Sequence, residues 1–140
     1  MADLTRFVEA QAETHETALR ELRRGRKQSH WMWFIFPQIQ GLGASPTARV
    51  YAIADLAEAR AYLAHPVLGP RLMEVVAAIN ALPGADAHAV FGSPDDLKLR
   101  SSLTLFQAAA PDEPAFGQAL AKYFGEVPDP RTLERLAAEP

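Results

Sequence analysis

The apolar positions that open the chain, Leu4, Phe7, Val8, Ala12, Ala18, Leu19 and Leu22, recur every three or four residues and make one stripe of a helix. Asp3 stands where an N-cap belongs, the basic residues gather at the far end, where positive charge suits the helix dipole, and Gly25 is a natural stop. Three later starts share one device, a capping residue followed by proline: Ser45-Pro46, Ser93-Pro94 and Asp129-Pro130. Asp55 with Glu58 resembles a capping box and opens Leu56 to Ala64, which His65-Pro66 ends. A further helix is expected from about Pro70 to Leu82, with Leu72, Val75, Val76 and Ile79 inward, stopped by Pro83-Gly84. Pro114 opens another, with Phe116, Leu120, Tyr123 and Phe124 inward and Gly125 as its cap.

No segment alternates with period two between turn signals. The run "WMWFIFPQ" has strand propensity, but a lone strand would have no partner, so a short helix or buried turn is expected. The pattern predicts an all-α fold, a compact single-domain bundle of about eight short helices over residues 1–140 with no conventional sheet.

Composition narrows the chemistry. At 140 residues the chain is long enough to bury a core without metal or disulfide help. It has no cysteine, which removes thiolate ligands, disulfides and a cysteine nucleophile. The net charge of −3 gives no global reason to bind nucleic acid. The basic run Arg23, Arg24, Arg26, Lys27 therefore reads as a solvated helix end. No apolar run spans a bilayer and the N-terminus has no signal-peptide pattern, so a cytoplasmic protein is expected. His15, His30, His65 and His88 show no metal-binding spacing, and no metal or cofactor is expected.

Candidate chemistry lies where polar residues interrupt apolar faces. At ~100° per residue, Gln11 and His15 fall in the middle of the first helix's buried stripe, either as a hydrogen-bonded core pair or as the lining of a pocket. In "SHWMWFIFPQ", Trp31 and Trp33 read as core or as a stacking platform, and His30 is the candidate acid–base residue. The loop "QIQGLGAS" leads into a helix but matches no phosphate-binding fingerprint. In "SPDDLKLRSSLTLF", Leu99, Leu103 and Phe106 make one core face. Ser101 and Thr104 lie on a second face flanked by Lys98 and Ser102, suited to close helix approach or to a ligand. Packing of "SHWMWFIFPQ" against this helix is expected, with Lys98, Gln11 and His30 sharing a cleft with one tryptophan.

The segments "RFVEAQ", "GRKQSHWMWFIFPQIQGLG", "AYLAHPVLGPRL" and "FGSPDDLKLRSSLTLF" resemble the bacterial family called domain of unknown function 1810 over nearly the whole chain. The resemblance implies a compact, mostly helical domain and no established activity.

These residues point to a small anionic or nucleotide-like ligand in a polar and aromatic cleft. Gln11, His15, Trp31, Trp33, Gln38, Lys98, Ser101 and Ser102 would bind it, with His30 catalytic if chemistry follows. Whether the protein is an enzyme, and its oligomeric state, are left open. The alternative is a non-enzymatic protein-interaction or regulatory module.

Overall fold

The computed structural model describes residues 3–138, and these form nine helices. They are α1 (Thr5–Arg23), α2 (Met32–Ile35), α3 (Pro46–Val50), α4 (Leu56–Ala64), α5 (Leu68–Ala81), α6 (Ala87–Phe91), α7 (Asp95–Ala109), α8 (Pro114–Phe124) and α9 (Pro130–Ala137). Among the described residues there is no strand, only an isolated parallel bridge between Ile39 and Ile53. The all-α expectation holds.

Local signals explain most boundaries. Ser45 Oγ, Asp55 Oδ1 and Asp129 Oδ2 accept from the amides of Ala48, Glu58 and Thr132 at 3.1, 2.8 and 3.0 Å. Each satisfies a donor that the first helical turn leaves unpaired. The end of α1 is a Schellman motif. Gly25, at φ +77°, donates to Leu22 O and Arg26 donates to Glu21 O.

Four expectations need correction. Leu4, not Asp3, occupies the cap of α1, while Asp3 Oδ1 accepts from Thr5 N one step earlier. Ser93 caps nothing, because Pro94 takes the cap position of α7 and its carbonyl receives the Leu97 and Lys98 amides. Helix α5 starts before Pro70 because His65 Nδ1 accepts from the Val67 and Leu68 amides. The ninth helix, α6, is capped by Asp86 and closed by Gly92 at φ +74°, signals that the segment's brevity hides.

Helix α7 sits at the centre, packed against α4, α6, α8 and α9, so it is buried on more than one face. Its small hydroxyls seat α9. Ser101 Oγ donates to Asp129 Oδ2 (3.0 Å) and Thr104 Oγ1 accepts from Asp129 N (2.9 Å). Helix α1 packs on α5 and α2. The "WMWFIF" segment thus rests chiefly on α1, not on α7 as its sequence suggested; Ile35 and Phe36 are buried and Phe34 only partly. Gly69 is required by close approach, since a Cβ there would lie 2.2 Å from Leu63 O. No helix among the described residues is long and apolar enough to cross a membrane.

Candidate functional site

The segment between α2 and α4 builds an exposed surface bordered by two clefts. After the bend at Pro37, the chain is pinned once, where Ile53 N donates to Gln38 O and Gln40 N to Ile53 O, both at 2.8 Å. Between these pins, residues 40–52 arch outward, and none from Gly43 to Val50 is buried. What holds the arch is a set of guanidinium-to-carbonyl bonds. Arg6 donates to Val50 O (2.8 Å) and Ala52 O (2.9 Å), Arg135 to Gln40 O (3.1 Å) and Arg131 to Leu42 O (3.4 Å). The Arg135 guanidinium lies so close over Gly41 (φ +93°) that a Cβ there would come within 2.6 Å of it.

Two clefts of about 690 and 530 Å³ flank the arch, and Trp33, Gln38, Gly43, Ala44 and Ala48 line both. In the larger cleft, Arg6 and Glu58 pair with each other at 3.1 Å and Glu58 also accepts from Ala54 N, so both are occupied. The side chain of Arg49 beside them makes no hydrogen bond or ion pair to any described residue. The smaller cleft gathers Lys98, Arg100 and Arg131 against Asp129. Arg100 is spent on the carbonyls of Val127 and Pro128, both at 2.9 Å, and Asp129 on α9's cap. Lys98 is tied less firmly, with Nζ 3.4 Å from Asp95 Oδ1 and 5.0 Å from the centre of the Trp33 ring.

Of the residues singled out in the sequence, Trp33, Gln38, Lys98 and Ser101 come together here. The others sit elsewhere. Gln11 is buried, donating to Phe34 O (2.6 Å) and Tyr62 Oη (2.9 Å); burial holds the Tyr62 phenol far above its ordinary pKa. His15 Nε2 meets Glu74 Oε1 at 3.1 Å. Ser102 is wholly enclosed in α7, and His30 is exposed and lines neither cleft.

Trp31 belongs to the core, 1% exposed, and its indole N–H donates to Glu21 Oε1 at 2.9 Å. Glu21 is the hub of this region, also accepting from the Gln28 and Ser29 amides and the Ser29 hydroxyl. Burial is the largest single influence on its carboxyl and raises the pKa. The hydrogen bonds from Ser29, Gln28 and Trp31 together outweigh it, and the value falls from 4.5 to about 2. Lys27 departs from the solvated run expected of it. Its side chain is 8% exposed, with the ammonium 2.9 Å from Asp95 Oδ2 and 5.0 Å from the centre of the Trp31 ring. Arg23, Arg24 and Arg26 do face solvent.

Sequence reasoning passed over Arg131 and Arg49. A terminal amphipathic helix and an exposed loop arginine carry no signal of the cleft they border. The glycines of "QIQGLGAS" were a usable one, since that loop forms the shared wall.

No curated protein matches the chain. Its fold is similar to the crystal structure of the conserved hypothetical protein Rv1873 from Mycobacterium tuberculosis. The TM-score is 0.96 and the identity 51%, over 98% of each chain. The family described as "Protein of unknown function (DUF1810)" matches residues 1–136, and the chain belongs to that family.

Proposed function

We propose that this protein binds a small anionic ligand carrying a planar ring, in the paired clefts around Trp33. The observation that carries this reading is the half-buried Trp33 at the junction of both clefts with the Lys98 ammonium 5.0 Å from its ring centre. A partly exposed indole offers a stacking face. Lys98 and Arg131 are the cations of the smaller cleft with the weakest ties to the protein, at 3.4 Å each. An anion competes well for donors held that loosely. Binding without chemistry fits the clefts better than catalysis, because the lining carboxylates Glu58 and Asp129 already serve an ion pair and a helix cap.

Thermal-shift and tryptophan-fluorescence titrations with nucleoside monophosphates and sugar phosphates test the reading. At least one nucleoside monophosphate should raise the melting temperature and quench emission, and should do so more strongly than any sugar phosphate, which lacks the planar ring. Trp33→Ala and Lys98→Ala should each weaken its binding by about tenfold or more, a loss of the size expected for a stacking or charge-assisted contact. Their circular dichroism should stay unchanged. Failure of every compound, or binding indifferent to both substitutions, would sink the proposal.

A further inference from the structure

Gln38 is placed as a reading head. Its backbone is fixed on both sides, by buried Pro37 before it and by the hydrogen bonds to Ile53 around buried Ile39. The side chain starts from this rigid point, is half-buried, and lines both clefts beside Trp33. Yet its amide makes no hydrogen bond to any described residue. Gln40, two residues on, gives its amide to Ala54 O at 3.0 Å, and Gln11 gives its own to Phe34 O and Tyr62 Oη. A free carboxamide presents one donor beside one acceptor, and its natural partner is an edge carrying an acceptor beside a donor. Nucleobases have such edges, which is how glutamine reads them in nucleic acids. Simple aromatic carboxylates do not, and sugar phosphates, whose hydroxyls could supply one, lack the planar ring that Trp33 would stack.

We infer that the ring seated on Trp33 is a nucleobase whose hydrogen-bonding edge Gln38 reads, so that the ligand class is a nucleoside phosphate. The inference rests on the cleft reading above and sharpens it. Trp33 takes the face of the base, Gln38 its edge, and Lys98 and Arg131 the phosphate. Gln38 then decides which edges are accepted. Its amide can rotate to match either order of donor and acceptor, so wild-type protein should accept both adenine and guanine. A carboxylate in its place has acceptors only. It suits the two adjacent donors of guanine, N1–H and the 2-amino group, and is mismatched to adenine's 6-amino group beside N1.

Isothermal titration of wild-type protein, Gln38→Ala, Gln38→Glu and Lys98→Ala with AMP, GMP and ribose 5-phosphate tests this. AMP and GMP should bind wild type about tenfold or more tighter than ribose 5-phosphate, the size of one good bidentate base contact. Gln38→Ala should remove most of that advantage, and Gln38→Glu should move the GMP-to-AMP affinity ratio by about tenfold toward GMP, whatever it does to overall affinity. Because the amide holds no other described residue, the circular dichroism of both variants should match wild type. Ribose 5-phosphate binding as well as AMP, or an unmoved ratio in Gln38→Glu, overturns the inference. If Lys98→Ala abolishes AMP binding while the Gln38 variants leave the ratio in place, the cleft stands and the base-reading role alone falls. If neither nucleotide binds wild type, both fall.

Discussion

Trp31 and Trp33 stand two residues apart on the same short segment, each with a lysine ammonium 5.0 Å from its ring centre, yet they occupy opposite kinds of environment. Trp31 is sealed in the core with its indole N–H on Glu21. Trp33 stands half-buried between two clefts. One carboxylate joins the two arrangements. Asp95 gives Oδ2 to Lys27, the lysine over Trp31, and Oδ1 to Lys98, the lysine over Trp33. The Lys27 contact is 2.9 Å long with that side chain 8% exposed, and the Lys98 contact is 3.4 Å with that side chain 26% exposed. The same three chemical groups make a structural rivet on one side and an exchangeable contact on the other. Solvent access separates the two outcomes.

The largest break in that comparison should come from the tryptophans themselves. Trp31→Ala should cost about 3–5 kcal/mol in chemical denaturation, as expected for truncating a large aromatic side chain in a packed core. Trp33→Ala should cost under about 2 kcal/mol, since only part of its surface is removed from water. Equal losses would mean that both are core residues.

Next in size is the carboxylate. Asp95→Asn leaves the enclosed Lys27 ammonium with the Ser29 carbonyl but no counter-charge, and should cost about 3 kcal/mol, near the lower end for breaking a buried pair. Lys98→Ala, acting on the more open contact, should cost under about 1 kcal/mol. Asp95→Asn should also free Lys98 and tighten the proposed anion binding, which the same titrations would show.

Glu21 sharpens the structural side through pH. Its folded pKa, about 2, lies below the ordinary 4.5, so its stabilising contribution is fully present above about pH 5 and is lost as pH falls toward 2. Glu21→Gln keeps the shape but not the charge. It should cost about 1–3 kcal/mol at neutral pH by weakening charge-assisted bonds. Part of the acid-induced loss of stability should disappear in that variant. An unchanged acid-denaturation profile would show that the carboxylate's hydrogen bonds carry no net charge preference. The smallest effect is optical. Acrylamide should quench the emission of Trp33 while sparing Trp31, so that Trp33→Phe leaves a nearly unquenchable protein.

The fold was legible in the chain wherever one physical signal governed one element. Apolar spacing and the Ser45, Asp55 and Asp129 caps located their helices because each cap works through bonds within four residues. The site was legible only in part. Trp33, Gln38, Lys98 and Ser101 were named together, but so were Gln11, His15 and Trp31. Polar atoms on a buried face look alike in sequence whether they meet a ligand or a neighbouring helix. Only the pairings of Gln11 with Tyr62, His15 with Glu74 and Trp31 with Glu21 distinguish them, and those partners lie 51, 59 and 10 residues away. The packing partner of α2 was misread for the same reason. An all-apolar run says that it is buried, not against what.

The arch over the clefts is tied down by guanidinium bonds to carbonyls, with no buried side chain from Gly43 to Val50. Lifting its middle, residues 43–50, therefore breaks hydrogen bonds while wetting little new hydrocarbon, with Leu42 and Tyr51 at its two ends left packed against the core. Such an opening carries little heat-capacity change and little denaturant sensitivity, because both scale with the surface exposed. Hydrogen exchange at the Ala48 and Arg49 amides should accordingly stay nearly flat across low urea concentrations, while exchange in α7 accelerates with each increment. Opening of the clefts is then thermodynamically separate from unfolding, and it leaves the core that fixes Trp33 in place intact.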